Sequence, residues 1–156
     1  MDYKELFEGV RNRTGMYLMN PTYQEADAFV GGCDAGNEWC LLLGFREWLI
    51  VRTSWGSNMS WTRLVLRVAF PEEDDPQELL KHCSDAQHRH AINVLFDLLK
   101  EFFEARSGIG IQRIFESHSA WVRKRDQEID EELENEEDDL EDQEGPPRDQ
   151  DAQKVA

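Results

Sequence analysis

Residues 126–156 hold 15 acidic and 2 basic side chains, and Ile129, Leu133, Leu140 and Val155 are their only large apolar residues. Like charge at that density repels itself. So few apolar groups cannot offset the conformational entropy of ordering the segment into a core. Any core must therefore be built from residues 1–125, which hold 18 acids and 15 bases. The formal charge of −16 on the 156-residue chain belongs to the tail and not to the folded surface. All eight Phe and all five Trp lie in the nearly neutral part, enough for one domain of ordinary size. The expected organisation is a globular domain over 1–125 and an acidic tail over 126–156, helical at first and then disordered.

Charged side chains interrupt the first residues, Met1-Asp2-Tyr3-Lys4-Glu5, before any apolar stretch of signal-peptide length. Trp48–Val51 and Leu64–Phe70 are far shorter than a membrane-spanning run. Three cysteines without regular spacing make no disulfide framework. These features point to the cytoplasm and to no membrane partner.

The periodicity is mainly that of helices. Tyr3, Leu6, Phe7 and Val10 recur at helical spacing after Asp2, with Gly15 as the expected stop. Asn20-Pro21 reads as the start of a second helix carrying Tyr23, Ala26, Val30 and Cys33, ending at Gly36-Asn37. Trp39, Leu42, Leu43, Phe45, Leu49 and Ile50 fit a buried helix. Ser60 caps a further helix with Trp61, Leu64, Val65, Val68 and Ala69 on one face, up to Pro71. Alternation at Leu64, Leu66, Val68 and Phe70 leaves a hairpin over 47–70, and hence an α+β fold, as the alternative. A long helix is expected over about 77–105. A last one starts near Ile109, with Ile111, Phe115, His118 and Val122 on one face. The expected fold class is mainly α, a compact bundle of about five helices.

Chemistry-bearing patterns are few. Cys83, His88 and His90 are the only cluster with zinc-ligand chemistry, but on one helix His88 points away from the other two. Cys33, between Gly32 and Asp34, would act as a nucleophile only with a histidine folded beside it. Cys40 and Cys83 read as small buried hydrophobes. There is no nucleophile-elbow serine and no phosphate loop; Gly108-Ile109-Gly110 has no preceding strand. Arg123-Lys124-Arg125, the only basic run, is followed at once by acids that would repel phosphate. No catalytic residue, metal or cofactor is assigned, and nucleic acid is not an expected partner. Trp55, beside Gly56, is the tryptophan expected to stay exposed. With Arg52, Trp61 and Arg63 it makes the candidate partner-binding patch, since aromatic and arginine side chains anchor interfaces.

Val10-Arg11-Asn12-Arg13-Thr14-Gly15-Met16-Tyr17-Leu18 resembles a segment near the start of type II topoisomerase ATPase domains, with Thr14 in place of that family's proline. The Glu-x-x-x-Asn pair and Asp-x-Gly-x-Gly loop which that family requires are missing, so no residue role carries over. The order of Arg13–Leu18, Gly44–Leu49 and Leu64–Pro71 resembles small bacterial proteins of unassigned function, some of them suspected immunity partners of secreted toxins. That resemblance implies a non-enzymatic protein-binding module, an immunity-type inhibitor or an adaptor, and the acidic tail suits a basic protein partner. A small thiol- or zinc-dependent enzyme, or a nucleic-acid mimic acting through the tail, are the alternatives.

Overall fold

The computed structural model describes residues 1–56 and 58–143, without the side chains of 134–143. Every element among the described residues is helical: α1 (Tyr3–Asn12), α2 (Thr14–Tyr17), α3 (Tyr23–Ala35), α4 (Phe45–Thr53), α5 (Trp61–Ala69), α6 (Pro76–Leu79), α7 (Asp85–Ile109) and α8 (Ile111–Gln143). The chain divides into two units, Met1–Ala120 and Trp121–Ala156. Among the described residues no helix is long and apolar enough to cross a membrane.

The hairpin alternative is overturned. Residues 47–70 hold α4 and α5, and the Ser60 side chain caps α5 by accepting from the Arg63 N–H at 3.3 Å. The count of five also changes to eight, because local caps cut the chain more often than its apolar stripes suggest. Asp2 starts α1 as expected, accepting from the N–H of Lys4 at 2.9 Å and of Glu5 at 3.3 Å. That helix stops at Asn12, however, and Thr14–Tyr17 forms a separate turn. Thr22, not Asn20, caps α3, while Asn20 donates to the Glu25 carboxylate through Nδ2 at 2.7 Å and its backbone N–H at 2.9 Å. The single long helix expected from 77 is two. Asp75 and Pro76 open the short α6, and Ser84 with Gln87 forms a reciprocal capping box that starts α7 at Asp85. Leu79, Leu80 and Cys83 therefore precede α7. Its true end is Ile109, where Gly110 takes φ 82°.

Helix α7 organises the Met1–Ala120 unit. Its buried residues Ala91, Ile92, Leu95, Phe96, Leu98, Leu99, Phe102 and Phe103 cover a far wider arc than one amphipathic stripe. It can do so because α1, α3, α4 and α5 all pack against it. A chain of rings joins α1, α4 and α5 to α7. Phe7 of α1 lies 5.7 Å from Phe96 and 6.1 Å from Phe103, and Phe103 lies 5.5 Å from Phe102. Phe102 in turn lies 5.1 Å from Phe45 and 6.0 Å from Trp48 of α4, and Phe45 lies 5.8 Å from Trp61 of α5. These separations, tilted except for the stacked Phe7–Phe103 pair, are those at which aromatic pairs attract beyond simple area burial.

Polar links fix the remaining helices. The fully buried Tyr23 donates its hydroxyl to the Thr62 carbonyl at 3.0 Å, and Thr62 Oγ1 donates to Asp27 at 3.0 Å. Burial, followed by the Asp27 charge, holds the Tyr23 phenol well above its usual range, so it stays a donor; burial also raises the Asp27 carboxyl. His88 Nδ1 accepts the Tyr23 backbone N–H at 3.3 Å, tying α7 to the start of α3.

Phe102 is fully buried at the junction of α4 and α7, whereas Phe115 of α8 is 37% exposed. Phe102→Ala is expected to cost about 3–5 kcal/mol of folding free energy. Phe115→Ala is expected to cost less than about 1 kcal/mol. Urea unfolding of both variants checks this, and equal losses would remove Phe102 from its central place.

Candidate functional site

Each of the four residues of the expected partner patch has its own contacts in the fold. Arg52 ends α4 with its guanidinium 5.2 Å from the Trp48 ring centroid and forms an ion pair with Glu101. Trp55 is half-buried and lies under Arg67, 5.8 Å from its guanidinium. Trp61 is half-buried and packs on the buried Phe45. Arg63 faces Asp75 at 3.8 Å, and its Nε is buried without a hydrogen-bond partner. No hydrogen bond, ion pair or ring contact among the described residues joins two of the four.

The residues with thiol or metal chemistry are occupied by the fold. His88 accepts from the Tyr23 N–H, and His90 Nε2 lies 2.9 Å from the Ala69 carbonyl, which makes that nitrogen the donor. Cys83 sits in the turn before α7, so the helical register expected to align it with His90 does not exist. Among the described residues no group of three or more His, Cys, Asp or Glu is arranged to hold a metal ion. Burial pushes the Cys33 thiol up, and burial with the Glu73 charge does the same to Cys83. Both shifts lower the thiolate fraction on which nucleophilic attack depends.

The feature that sequence periodicity missed is the loop between α3 and α4. Trp39, expected in a buried helix, is 68% exposed, and Leu43 is 48% exposed. Glu38 at φ 56° and Trp39 at φ 61° are consecutive non-glycine residues in the left-handed region. For a bulky side chain that conformation costs on the order of 1–2 kcal/mol, and it persists only where surrounding bonds determine it.

Those bonds are visible. The backbone N–H groups of Asn37 and Trp39 both donate to the Asp34 carbonyl at 2.9 Å, and the buried Asp34 carboxylate accepts from the Leu42 N–H at 3.0 Å. Asn37 Nδ2 donates to the Cys33 carbonyl at 2.7 Å and to the Tyr3 hydroxyl. From α7, Arg106 donates to the carbonyls of Leu41 at 2.8 Å and Cys40 at 3.3 Å, with its guanidinium 5.0 Å from the Phe102 ring. Burial pulls the Arg106 pKa down while the Asp34 charge opposes the shift. The guanidinium remains a cation. Gly44 closes the loop at φ 86°, where a Cβ would come within 2.5 Å of Ile111 Cδ1 and 3.5 Å of Ile114 Cγ2. Only glycine combines that conformation with that approach.

Ile114 connects this loop to a second feature. It also lines a cleft of about 220 Å³ formed by Trp48, Val51 and Arg52 of α4 with Ile109, Ile114 and Ser117. Ile109 is 56% exposed at this cleft. One face of the Met1–Ala120 unit thus carries the Leu41–Gly44 segment, the first turn of α8 and an apolar cleft that includes one residue of the expected patch, Arg52. A sequence signal for the exposed loop existed, since Gly36 and Gly44 bracket it. No family model, no curated protein and no solved structure matches this chain.

Asp34→Ala leaves the Leu42 N–H without its acceptor and is expected to cost about 1–3 kcal/mol. Asp34→Asn, which keeps an acceptor oxygen, should lose clearly less. Thermal unfolding of the two variants tests this, and equal losses would mean that the carboxylate does not hold the loop.

Proposed function

We propose that this chain is a non-enzymatic protein-binding module whose body engages another protein through Trp39 and the neighbouring cleft of Trp48, Arg52 and Ile109. The observation that carries this reading is Trp39 itself. A tryptophan two-thirds in water, in a strained backbone that seven hydrogen bonds to fixed groups hold in place, contributes nothing to a core. Strain maintained at an exposed aromatic residue fits a preorganised anchor, because fixing the side chain beforehand reduces the entropy lost on binding. Tryptophan and arginine are the residues that most often dominate interface energetics. An immunity-type inhibitor of a toxin, or an adaptor, are the forms of this function that the acidic tail fits best. The patch of Arg52, Trp55, Trp61 and Arg63 enters this proposal through Arg52.

The tail suits a basic partner. Residues 126–156 carry 13 net negative charges that would draw a cationic protein toward the body before contact is made. Steering of this kind acts on the association rate and is screened by salt.

Trp39→Ala is expected to weaken capture of the partner from native lysate by about tenfold or more, with the helical circular dichroism and unfolding midpoint unchanged. Unaltered capture by this variant would contradict the assignment of Trp39. Removal of residues 126–156 is expected to slow association by about tenfold at low salt and by little at high salt, with the dissociation rate unchanged. A rate independent of both salt and deletion would remove the steering role.

A further inference from the structure

The Trp121–Ala156 unit holds a surface that steering alone does not use. Within α8, Val122, Ile129 and Leu133 are separated by seven and four residues, which places them on one face of the helix. Ile129 is 43% exposed and Leu133 is 54% exposed. These are the only large apolar residues of positions 123–133, and they share one line rather than being scattered.

Arg123, Lys124 and Arg125 follow Val122, but beside Ile129 and Leu133 the helix is acidic. Positions 126–133 hold Asp126, Glu128, Asp130, Glu131 and Glu132 and no base, and among the described residues Glu128 is the one of them that is paired, with Lys124 at 3.5 Å and Arg125 at 3.7 Å. Asp126 and Asp130, like Glu128 and Glu132, are like charges four residues apart, an arrangement that weakens a helix standing alone. A partner that relieves both the exposed apolar line and the repulsion must be apolar on one stripe and cationic beside it. A second copy of this chain meets that requirement poorly, because it would bring the same five acids and only Arg123, Lys124 and Arg125 to set against them, the last two already paired with Glu128. Nucleic acid and anionic lipid are repelled for the same reason.

We infer that the Val122–Leu133 face of α8 is a docking surface for a basic amphipathic helix, with Ile129 and Leu133 meeting its apolar stripe and the flanking acids pairing with its lysines or arginines. This goes beyond the proposed function, because the surface shares no residue with Trp39 or the cleft. It also differs from steering, which depends on charge alone and not on where the apolar residues lie.

The full chain is titrated calorimetrically with a synthetic peptide of about three heptads, Leu at the a and d positions and Lys elsewhere, and with a scrambled peptide of the same composition. The striped peptide is expected to bind about tenfold more tightly, and Ile129→Ser/Leu133→Ser is expected to abolish that difference while all acids remain. Equal binding of the two peptides, or an undiminished preference in the double variant, would overturn the docking surface and leave only charge. Sedimentation of the chain alone adds a further outcome. A dimer lost in the double variant would overturn the choice of partner in favour of a second copy. Trp39→Ala should leave the peptide titration unchanged, so failure of this inference and failure of the body's binding role are distinguishable.

Discussion

The packing of rings around Phe102 and Phe103 is the interaction on which the rest of this structure depends. Among the described residues α7 packs against α1, α3, α4 and α5, and it does so because large flat side chains occupy successive positions on several of its faces. Phe96 and Phe103 receive α1 through Phe7, and Phe102 receives α4 through Phe45 and Trp48. With these contacts in place, α5 follows through Trp61, and Tyr23 ties α3 to both α5 and α7 by hydrogen bonds. A core of interlocking aromatic groups tolerates little displacement, since interiors are close-packed and gaps forfeit dispersion contacts.

That rigidity reaches the surface through Arg106. One turn beyond Phe102 and Phe103, its guanidinium lies against both rings and donates to the Cys40 and Leu41 carbonyls. The same side chain thus belongs to the core by its position and to the Trp39 loop by its hydrogen bonds. Asp34 provides the opposing hold from the end of α3. Between them the loop is determined from two sides, which allows Glu38 and Trp39 to keep left-handed backbones. The binding reading therefore rests on a continuous physical path from buried rings to an exposed one.

Helix type and the apolar faces were legible in the sequence wherever a stripe was long and a cap was local, as at Asp2, Ser60 and the stretch around Leu95–Phe103. Two kinds of feature were not. Helix breaks set by side-chain caps, such as Ser84, interrupt no apolar stripe, so periodicity ran straight through them. The 36–44 loop was the other. Trp39, Leu42 and Leu43 satisfy a helical spacing, and the bonds of Asp34 together with partners far along the chain, Arg106 and Ile111, turn the backbone there instead. Of the candidate patch, Arg52 was legible as an interface residue by type. The packing of Trp61 against Phe45 and the pairing of Trp55 with Arg67 depend on contacts that residue type does not encode.

The claim that Trp39 is presented by a preformed loop is tested most directly by amide hydrogen exchange across residues 36–44 in the isolated protein. The Trp39 and Leu42 amides, bonded to Asp34, should exchange at least about a hundredfold more slowly than an unstructured peptide, as do amides in stable elements. Exchange at the unstructured rate would mean that the loop is not held, and Trp39 would lose its standing as a preorganised anchor.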